Sequence, residues 1–349
     1  MKRVFVELHH QMLYKSLQML FEKRLKFNLF RPIGTEWAYK GYWNNAKVYN
    51  QNLDTIKQFL EINNNVLIKT GPKNEVVSEN EDYYTIANSY MNERAVTIKQ
   101  FRKMRPDIVI ASYYDNIEPF SKLAKEVGAK FIFQMGNEWP VPWDIVDNLM
   151  SSTKPIPVPQ GKNAVFYHQE IDLDIYKKGE PKPNSKIIRS FVNCLPEHKI
   201  YKQDWLDFQE LEKLMPEFKF ESYGINCRNG IIKEQQEIAD KMRECYFGVH
   251  LKNHGDGFGH VIFDFFAVGK PVIYRGSQYA DKLAGELMVD MVTGIDIDKH
   301  SLTDCVKIIK EMSEEKYKQM CQNAYNKFKE KVNYNKEELL IRDFLGELI

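Results

Sequence analysis

The chain has 349 residues, with 49 lysines and arginines against 48 aspartates and glutamates and a formal net charge of +1. That length exceeds the usual single core and suits two lobes of roughly 180 and 170 residues, and the balanced charge supplies no global attraction to nucleic acid or anionic lipid. Cys194, Cys227, Cys245, Cys305 and Cys321 are odd in number, widely spaced and without a Cys-x-x-Cys pair, so neither a disulfide framework nor a zinc ribbon is indicated. With no apolar leader and no apolar run of the roughly 18 to 20 residues that span a bilayer, a cytoplasmic protein with reduced thiols is expected.

In chain order, Lys2-Arg3-Val4-Phe5-Val6-Glu7-Leu8 alternates like an opening strand. His9-His10 fall at its end, and residues 11–26 repeat apolar side chains at helical spacing. Val66-Leu67-Ile68, Asp107-Ile108-Val109-Ile110-Ala111 and Lys130-Phe131-Ile132-Phe133 are further short apolar runs, separated by helical patterns over residues 93–104 and 118–126. This alternation predicts a parallel sheet covered by helices on both faces. Lys177-Lys178-Gly179-Glu180-Pro181-Lys182-Pro183-Asn184 is polar, carries prolines and reads as a linker, which places a domain boundary there. Residues 313–331 predict a long charged amphipathic helix and residues 336–349 a final one.

One segment concentrates the chemistry. Tyr246-Phe247-Gly248-Val249-His250-Leu251 has the content of a short buried strand, and Gly255-Asp256-Gly257-Phe258-Gly259 alternates glycine with a carboxylate before the chain turns apolar at helical spacing. A helix therefore starts near Phe258 or Gly259. Its first turn leaves N–H groups without partners at the positive end of the helix dipole, which favours an anionic or hydroxyl-rich ligand. Asp256 precedes the helix and Asp264 lies about two turns later, so both acids can face one ligand from different heights. Gly269 stands where a C-cap belongs, and Pro271-Val272-Ile273-Tyr274 reads as the next strand. The pattern also fits an ordinary strand-helix-strand unit in which Asp256 caps the helix and Asp264 is solvated.

The segment Asp256-Gly257-Phe258-Gly259-His260, with Asp264, Gly269, Pro271 and Val272, resembles the donor-site signature of retaining GT-B glycosyltransferases of the family-four type, the glycosyl transferases group 1. Both family glutamates are aspartates here, each carboxylate withdrawn by about 1.5 Å. The resemblance implies an α/β chain with two Rossmann-like domains, their parallel sheets facing a central cleft. Residues 1–178 would form the acceptor side, residues 179–335 the donor domain, and residues 336–349 a helix returning to the first domain. It also implies transfer of a hexose from a nucleotide-diphosphate sugar, UDP- or GDP-linked with UDP favoured, with retention and with no obligatory cofactor or metal.

Ser185-Lys186-Ile187-Ile188-Arg189-Ser190-Phe191 and a helical run over residues 204–215 look like the first strand and helix of the family's donor domain. Arg189 is then the candidate for the arginine that neutralises the diphosphate, with Lys199 or Lys202 as the accompanying lysine. Tyr223-Gly224 would close the next strand beside the base, and Phe166-Tyr167-His168-Gln169-Glu170-Ile171-Asp172 resembles the last strand of the first domain. Fixed cations and the amides of residues 257–259 would stabilise the negative charge that grows on the departing diphosphate. An inverting reaction would instead need a base from the first domain, for which Asp115 and Glu138 are the candidates.

Several patterns carry less. His250, His254 and His260 with Asp256 can be drawn as a metal cluster, but strand-to-loop spacing scatters their directions, and Asp172-Leu173-Asp174 and Asp296-Ile297-Asp298 match a three-residue metal motif that recurs by chance. No metal site is expected. Ligands of open α/β sheets gather at the carboxyl ends of strands, which nominates His9-His10, Ser112-Tyr113-Tyr114-Asp115 and Gln134-Met135-Gly136-Asn137-Glu138-Trp139. Trp37, Tyr39, Tyr42 and Trp43 offer flat faces to a sugar or an unstacked base, or pack in a core. The acceptor stays open among a glycan, a small molecule, a protein and a hydroxylated base in viral DNA, and the alternatives to transfer are a nucleotide-sugar epimerase and a nucleotide-sugar binding protein without turnover.

Overall fold

The computed structural model describes residues 1–7, 11–33, 37, 76–79, 81–86 and 91–348. His9-His10, Val66-Leu67-Ile68, Tyr39, Tyr42 and Trp43 lie outside them. The elements are, in order, β1 (Arg3–Val6), α1 (Gln11–Gln18) running on as a π-helical stretch (Met19–Arg24), β2 (Asn28–Pro32), β3 (Val76–Glu79), β4 (Tyr84–Ile86), β5 (Glu93–Val96), α2 (Ile98–Met104) and β6 (Ile108–Ala111). After these come α3 (Ile117–Val127), β7 (Lys130–Met135), β8 (Asn148–Ser151), β9 (Asn163–Phe166), β10 (Ile187–Ser190), α4 (Lys202–Leu214), β11 (Lys219–Ser222), α5 (Gln235–Glu244) and β12 (Phe247–His250). The last are α6 (His260–Ala267), β13 (Val272–Tyr274), β14 (Gly294–Asp296), α7 (Leu302–Lys310), α8 (Glu314–Lys331) and α9 (Tyr334–Gly346).

Two compact units result, Met1–Glu170 with Tyr334–Ile349 and Ile171–Asn333. The change of unit precedes the proline-bearing stretch because that stretch is tied to the second unit. Arg243 donates to the carbonyls of Ile175 and Lys177, Gly179 N–H donates to the Val268 carbonyl, and Lys270 reaches the Glu180 carbonyl.

In the first unit the described strands run β3-β4-β5-β2-β1-β6-β7-β8-β9. They are parallel from β5 to β9, and β4 pairs antiparallel with β3 and β5. A parallel sheet is covered on both faces, so its strands read as continuous apolar runs; β6 is buried at every residue. Val4, Ile108, Ile132 and Met150 pack on one face with Leu17 of α1 and with Ile341, Phe344 and Leu345 of α9. Phe5, Val109, Phe101 and Phe120 pack on the other with α2 and α3. Trp37 belongs to that core, fully buried, stacked on Phe5 at 4.8 Å and donating its indole N–H to the Val96 carbonyl at 2.9 Å. It is therefore not a platform for a ligand.

Two local readings change. The pattern over residues 93–104 predicts one helix, but Glu93–Val96 is strand β5 and the helix begins at Ile98. Thr97 separates them through a capping box, its hydroxyl accepting from Gln100 N–H at 3.2 Å and the Gln100 side chain accepting from Thr97 N–H at 3.0 Å. Such a cap stabilises a helix by about 1 kcal/mol. The strand expected over residues 166–172 is instead β9, which ends at Phe166.

The second sheet runs β11-β10-β12-β13-β14, parallel throughout. Ile188, Phe220, Phe247 and Ile273 share one core with Phe208 of α4, Val306 of α7 and Tyr317 of α8. Against the opposite face α6 lies so close that a Cβ on Gly248 would meet the Phe265 ring at 2.6 Å. Any side chain at Gly248 would push that helix away.

Glu7 follows β1 and is 2% exposed. Its carboxylate accepts from Ser112 N–H at 2.9 Å, Tyr113 N–H at 3.1 Å and the Asn116 amide. Burial pushes the carboxyl up from 4.5 to about 7 against the pull of these three donors. Because the folded state holds this proton more tightly, the group's stabilisation is complete below pH 4.5 and is lost as pH rises through about 7. Glu7→Gln is expected to flatten the decline of the urea midpoint between pH 5 and pH 8, measured against the parent chain; an unchanged slope would show that Glu7 titrates normally.

Candidate functional site

The second sheet changes winding direction at β10, since β11 lies on one side of it and β12 on the other. Open α/β sheets bind ligands outside the strand carboxyl ends at such a point. The loops leaving β10 and β12 there are residues 191–198 and residues 251–259.

Residues 251–259 have a fixed path. Asp204, 2% exposed near the start of α4, accepts from Asn253 N–H at 2.7 Å and from the Gln278 amide at 2.9 Å, while Gln278 accepts from Lys252 N–H at 2.9 Å. The Asn253 amide donates to the Ile200 carbonyl at 3.1 Å, which ties the turn carrying Lys199 to this loop. His254, Gly255 and Gly259 take positive φ of 67°, 67° and 88°. A Cβ on Gly255 would stand 2.4 Å from the Gln278 carbonyl oxygen, so glycine is required by both conformation and space. Gly259 is the N-cap of α6 and no side chain caps that end. The first-turn N–H groups keep the positive pole of the helix available to an anion.

Asp256 sits inside the loop with its carboxylate 23% exposed, beside Lys252, whose ammonium pairs with it, and His250, whose Nε2 lies 3.1 Å away. Burial raises this carboxyl, but the lysine charge and the histidine contact outweigh that and hold it well below the ordinary range. The same pairing raises Lys252 against its own burial. His250 is 1% exposed at the end of β12, its Nδ1 without a hydrogen-bond partner among the described residues, and its ring is 5.8 Å from that of buried Tyr279. Asp264 of α6 is 4% exposed and its Oδ1 makes no hydrogen bond. With nothing to offset burial, its carboxyl is pushed well above the ordinary range.

The expected residues do not all meet here. Arg189 lies within β10, in register with Glu221 and Gly248, and points away from the apolar face that holds Ile188. Its guanidinium donates to Glu221 at 2.5 Å, to Glu244 at 2.9 Å and to the Lys241 carbonyl at 2.5 Å. It is a buried structural cation, not one presented at the strand ends. Lys199 and Lys202 are exposed, and among the described residues no carboxylate pairs with either. Phe258 is 3% exposed and stacks on Phe263 at 4.3 Å, and Gly257 is buried, so Gly257-Phe258-Gly259 can meet a ligand through backbone alone. His260, half-buried at the first helical position, packs its ring on Phe258 at 4.9 Å. Tyr223 stacks on Phe191 at 5.6 Å and donates to Glu221 at 3.2 Å, while Gly224 lies so near Asn193 that a Cβ would meet its Oδ1 at 2.6 Å.

Asp115 and Glu138 are exposed in the first unit, on the loops after β6 and β7. Lys252, Asp204 and Gln278 were not foreseen as parts of the site. The four-residue interval from Lys252 to Asp256 was the available signal for the ion pair, whereas the Asp204 contacts join distant segments. Asp296 accepts from Gly276 and Asp298 N–H groups, and Asp174 N–H donates to Asp172, so each Asp-x-Asp pattern has a local turn role. Among the described residues no group of three or more His, Cys, Asp or Glu is placed to hold a metal ion, and no helix is long and apolar enough to cross a membrane.

No protein-family model and no curated protein matches the sequence. Solved structures share its architecture. HepE of Anabaena in complex with UDP is 12% identical, with a TM-score of 0.63 over 99% of this chain and 100% of that chain. A glycosyltransferase from Rickettsia africae is 12% identical, with a TM-score of 0.63 over 99% and 98%. Sucrose-phosphate synthase from Thermosynechococcus elongatus is 8% identical, with a TM-score of 0.63 over 100% and 99%. These neighbours are GT-B glycosyltransferases, and the fold of this chain, two α/β domains built on parallel sheets, is theirs.

The Arg189 assignment has a direct test. Removing one partner of a buried ion pair costs about 3 to 5 kcal/mol, so Arg189→Met is expected to lower the urea-derived stability at pH 7 by that amount. Burial raises Glu221, but Lys219 and Arg189 outweigh it and hold the carboxyl at about 2. Its stabilisation is present above its ordinary 4.5 and disappears as pH falls toward 2. The variant should therefore lose stability less steeply below pH 4.5 than the parent, and a variant as stable as the parent would return Arg189 to the ligand site.

Proposed function

We propose that the chain is a glycosyltransferase that draws its sugar from a UDP-linked donor held by the second unit, the donor domain, and passes it to an acceptor received by the first. The observation that carries this reading is the loop of residues 251–259, where a glycine-capped helix start and the paired Asp256 and Lys252 stand at the winding switch of the second sheet. The complexes of HepE with UDP and with UDP-glucose support the choice of nucleotide.

In this reading the diphosphate faces the amides of residues 257–259 and the start of α6. Arg189 is committed elsewhere, so the side-chain cations are Lys252 and the exposed Lys199 or Lys202. Breaking the anomeric C–O bond leaves negative charge on the nucleotide diphosphate, and these fixed positive groups favour the transition state over the ground state because the charge grows there. Asp256, held ionised, accepts from sugar hydroxyls, and Asp264, the buried carboxyl without a partner, meets the ribose. Tyr223-Gly224 close the base side through backbone. The transferred group is a hexose, delivered with retention as the departing phosphate takes the acceptor proton, so Asp115 and Glu138 are not needed as bases.

Calorimetry with UDP and GDP tests the donor site. UDP is expected to bind in preference to GDP, and Lys252→Gln to weaken UDP by about tenfold, the loss of one charge-assisted contact. Asp256→Asn should spare UDP affinity within about threefold while abolishing turnover of UDP-glucose, read as UDP release. Absence of nucleotide uptake at millimolar concentration would end the reading, and an inverted anomer by proton NMR would return Asp115 or Glu138 to the role of base.

A further inference from the structure

The loops after β6 and β7 carry an aromatic pair that the donor site leaves unused. Trp139 is 53% exposed, whereas Trp37 is buried and Trp143 and Trp205 are half-buried. Its indole stacks on Tyr114 with ring centroids 5.6 Å apart and planes at 29°. Tyr114 in turn packs against the core formed by Ile117, Phe133, Val146 and Leu149. One face of the indole therefore rests on a ring that is itself packed, and Trp139 keeps about half of its surface in solvent.

Both supporting loops are held. The Glu7 carboxylate clamps residues 112–116 through two backbone N–H groups and Asn116, which fixes the turn bearing Tyr114. On the other loop Trp139 N–H donates to the Asn137 carbonyl at 2.9 Å, and Pro140 and Pro142 restrict the chain beyond it. Both lie at the strand carboxyl ends of the first sheet, where ligands of such sheets collect.

Charge selects among ligands with a flat or apolar face. Residues 112–117 and 136–147 contain Asp115, Glu138, Asp144 and Asp147 and no lysine or arginine. Platforms that stack nucleic-acid bases are set in positively charged grooves that neutralise phosphate; neither of these segments supplies a cation, and Lys162 is paired with Asp147 at 2.6 Å. A pyranose ring presents C–H groups to an aromatic face and hydroxyls at its rim, which polar side chains such as Asn137 can meet.

We propose that Trp139, backed by Tyr114, is the stacking platform for an uncharged saccharide ring. That this ring is the acceptor rests on the transferase reading above, and it makes the acceptor a glycan in preference to modified DNA. The test is calorimetric titration of the full chain and of Trp139→Ala and Trp139→Tyr with maltotriose, cellotriose, chitotriose, mannotriose and an oligothymidylate, each preparation also being titrated with UDP. At least one trisaccharide is expected to bind at millimolar concentration. Trp139→Ala should weaken it about tenfold, and Trp139→Tyr, which keeps a ring, within about threefold, with UDP affinity the same in all three chains. Indifference of saccharide binding to Trp139→Ala, no uptake of any trisaccharide, or preferential uptake of the oligothymidylate would overturn the proposal. Failure of the parent chain to bind UDP would sink the transferase reading while the trisaccharide titrations still decided the platform.

Discussion

A single buried carboxylate organises the loop on which the candidate donor site depends. Asp204 receives the backbone of residue 253 on one oxygen and the side chain of Gln278 on the other, so it joins α4, the loop after β12 and the loop after β13. Charge-assisted hydrogen bonds of this kind are short and strong, and leaving such donors unmade in a buried place is costly. The loop then has few paths open to it. Positive φ at His254 and Gly255 turns the chain back, and Asp256 arrives opposite Lys252 and His250. Glycine at residue 259 ends the turn, and among the described residues no side chain caps the helix start that follows.

Much of this was legible because glycine and proline mark backbone requirements that do not depend on distant packing. Gly255, Gly259 and Gly269 all adopt left-handed φ, which residue type alone suggests. The apolar runs of β1, β6, β7, β12 and β13 were legible because strands buried on both faces need them. Arg189 was misread for a related reason. An arginine at the end of an apolar run can stand in the last turn of a strand or beyond it, and only its pairing with Glu221, 32 residues away, shows that it lies inside the sheet. Likewise the pattern over residues 93–104 mixes a short strand with a short helix, and the five-residue difference in where the helix begins is marked by the Thr97 cap.

Trp139 was obscure for a different reason. Aromatic residues make up 13% of the chain, and most of those described are core, so type alone does not distinguish a platform from packing. Trp37, the tryptophan nearest the opening strand, is fully buried, while Trp139 stands out in solvent on a ring that is itself anchored. The distinction is set by Glu7, which lies about 130 residues earlier in the chain and determines where Tyr114 can be. Exposure of this kind is a property of three segments together.

Asp256 and Asp264 are driven in opposite directions by their surroundings. Asp256 has a lysine and a histidine within reach and is held ionised, so it can only accept hydrogen bonds. Asp264 has no hydrogen-bond partner for its Oδ1 among the described residues, and burial raises its carboxyl, which favours the protonated form. A pair of carboxyl groups whose environments separate their proton affinities is suited to two different tasks on one ligand.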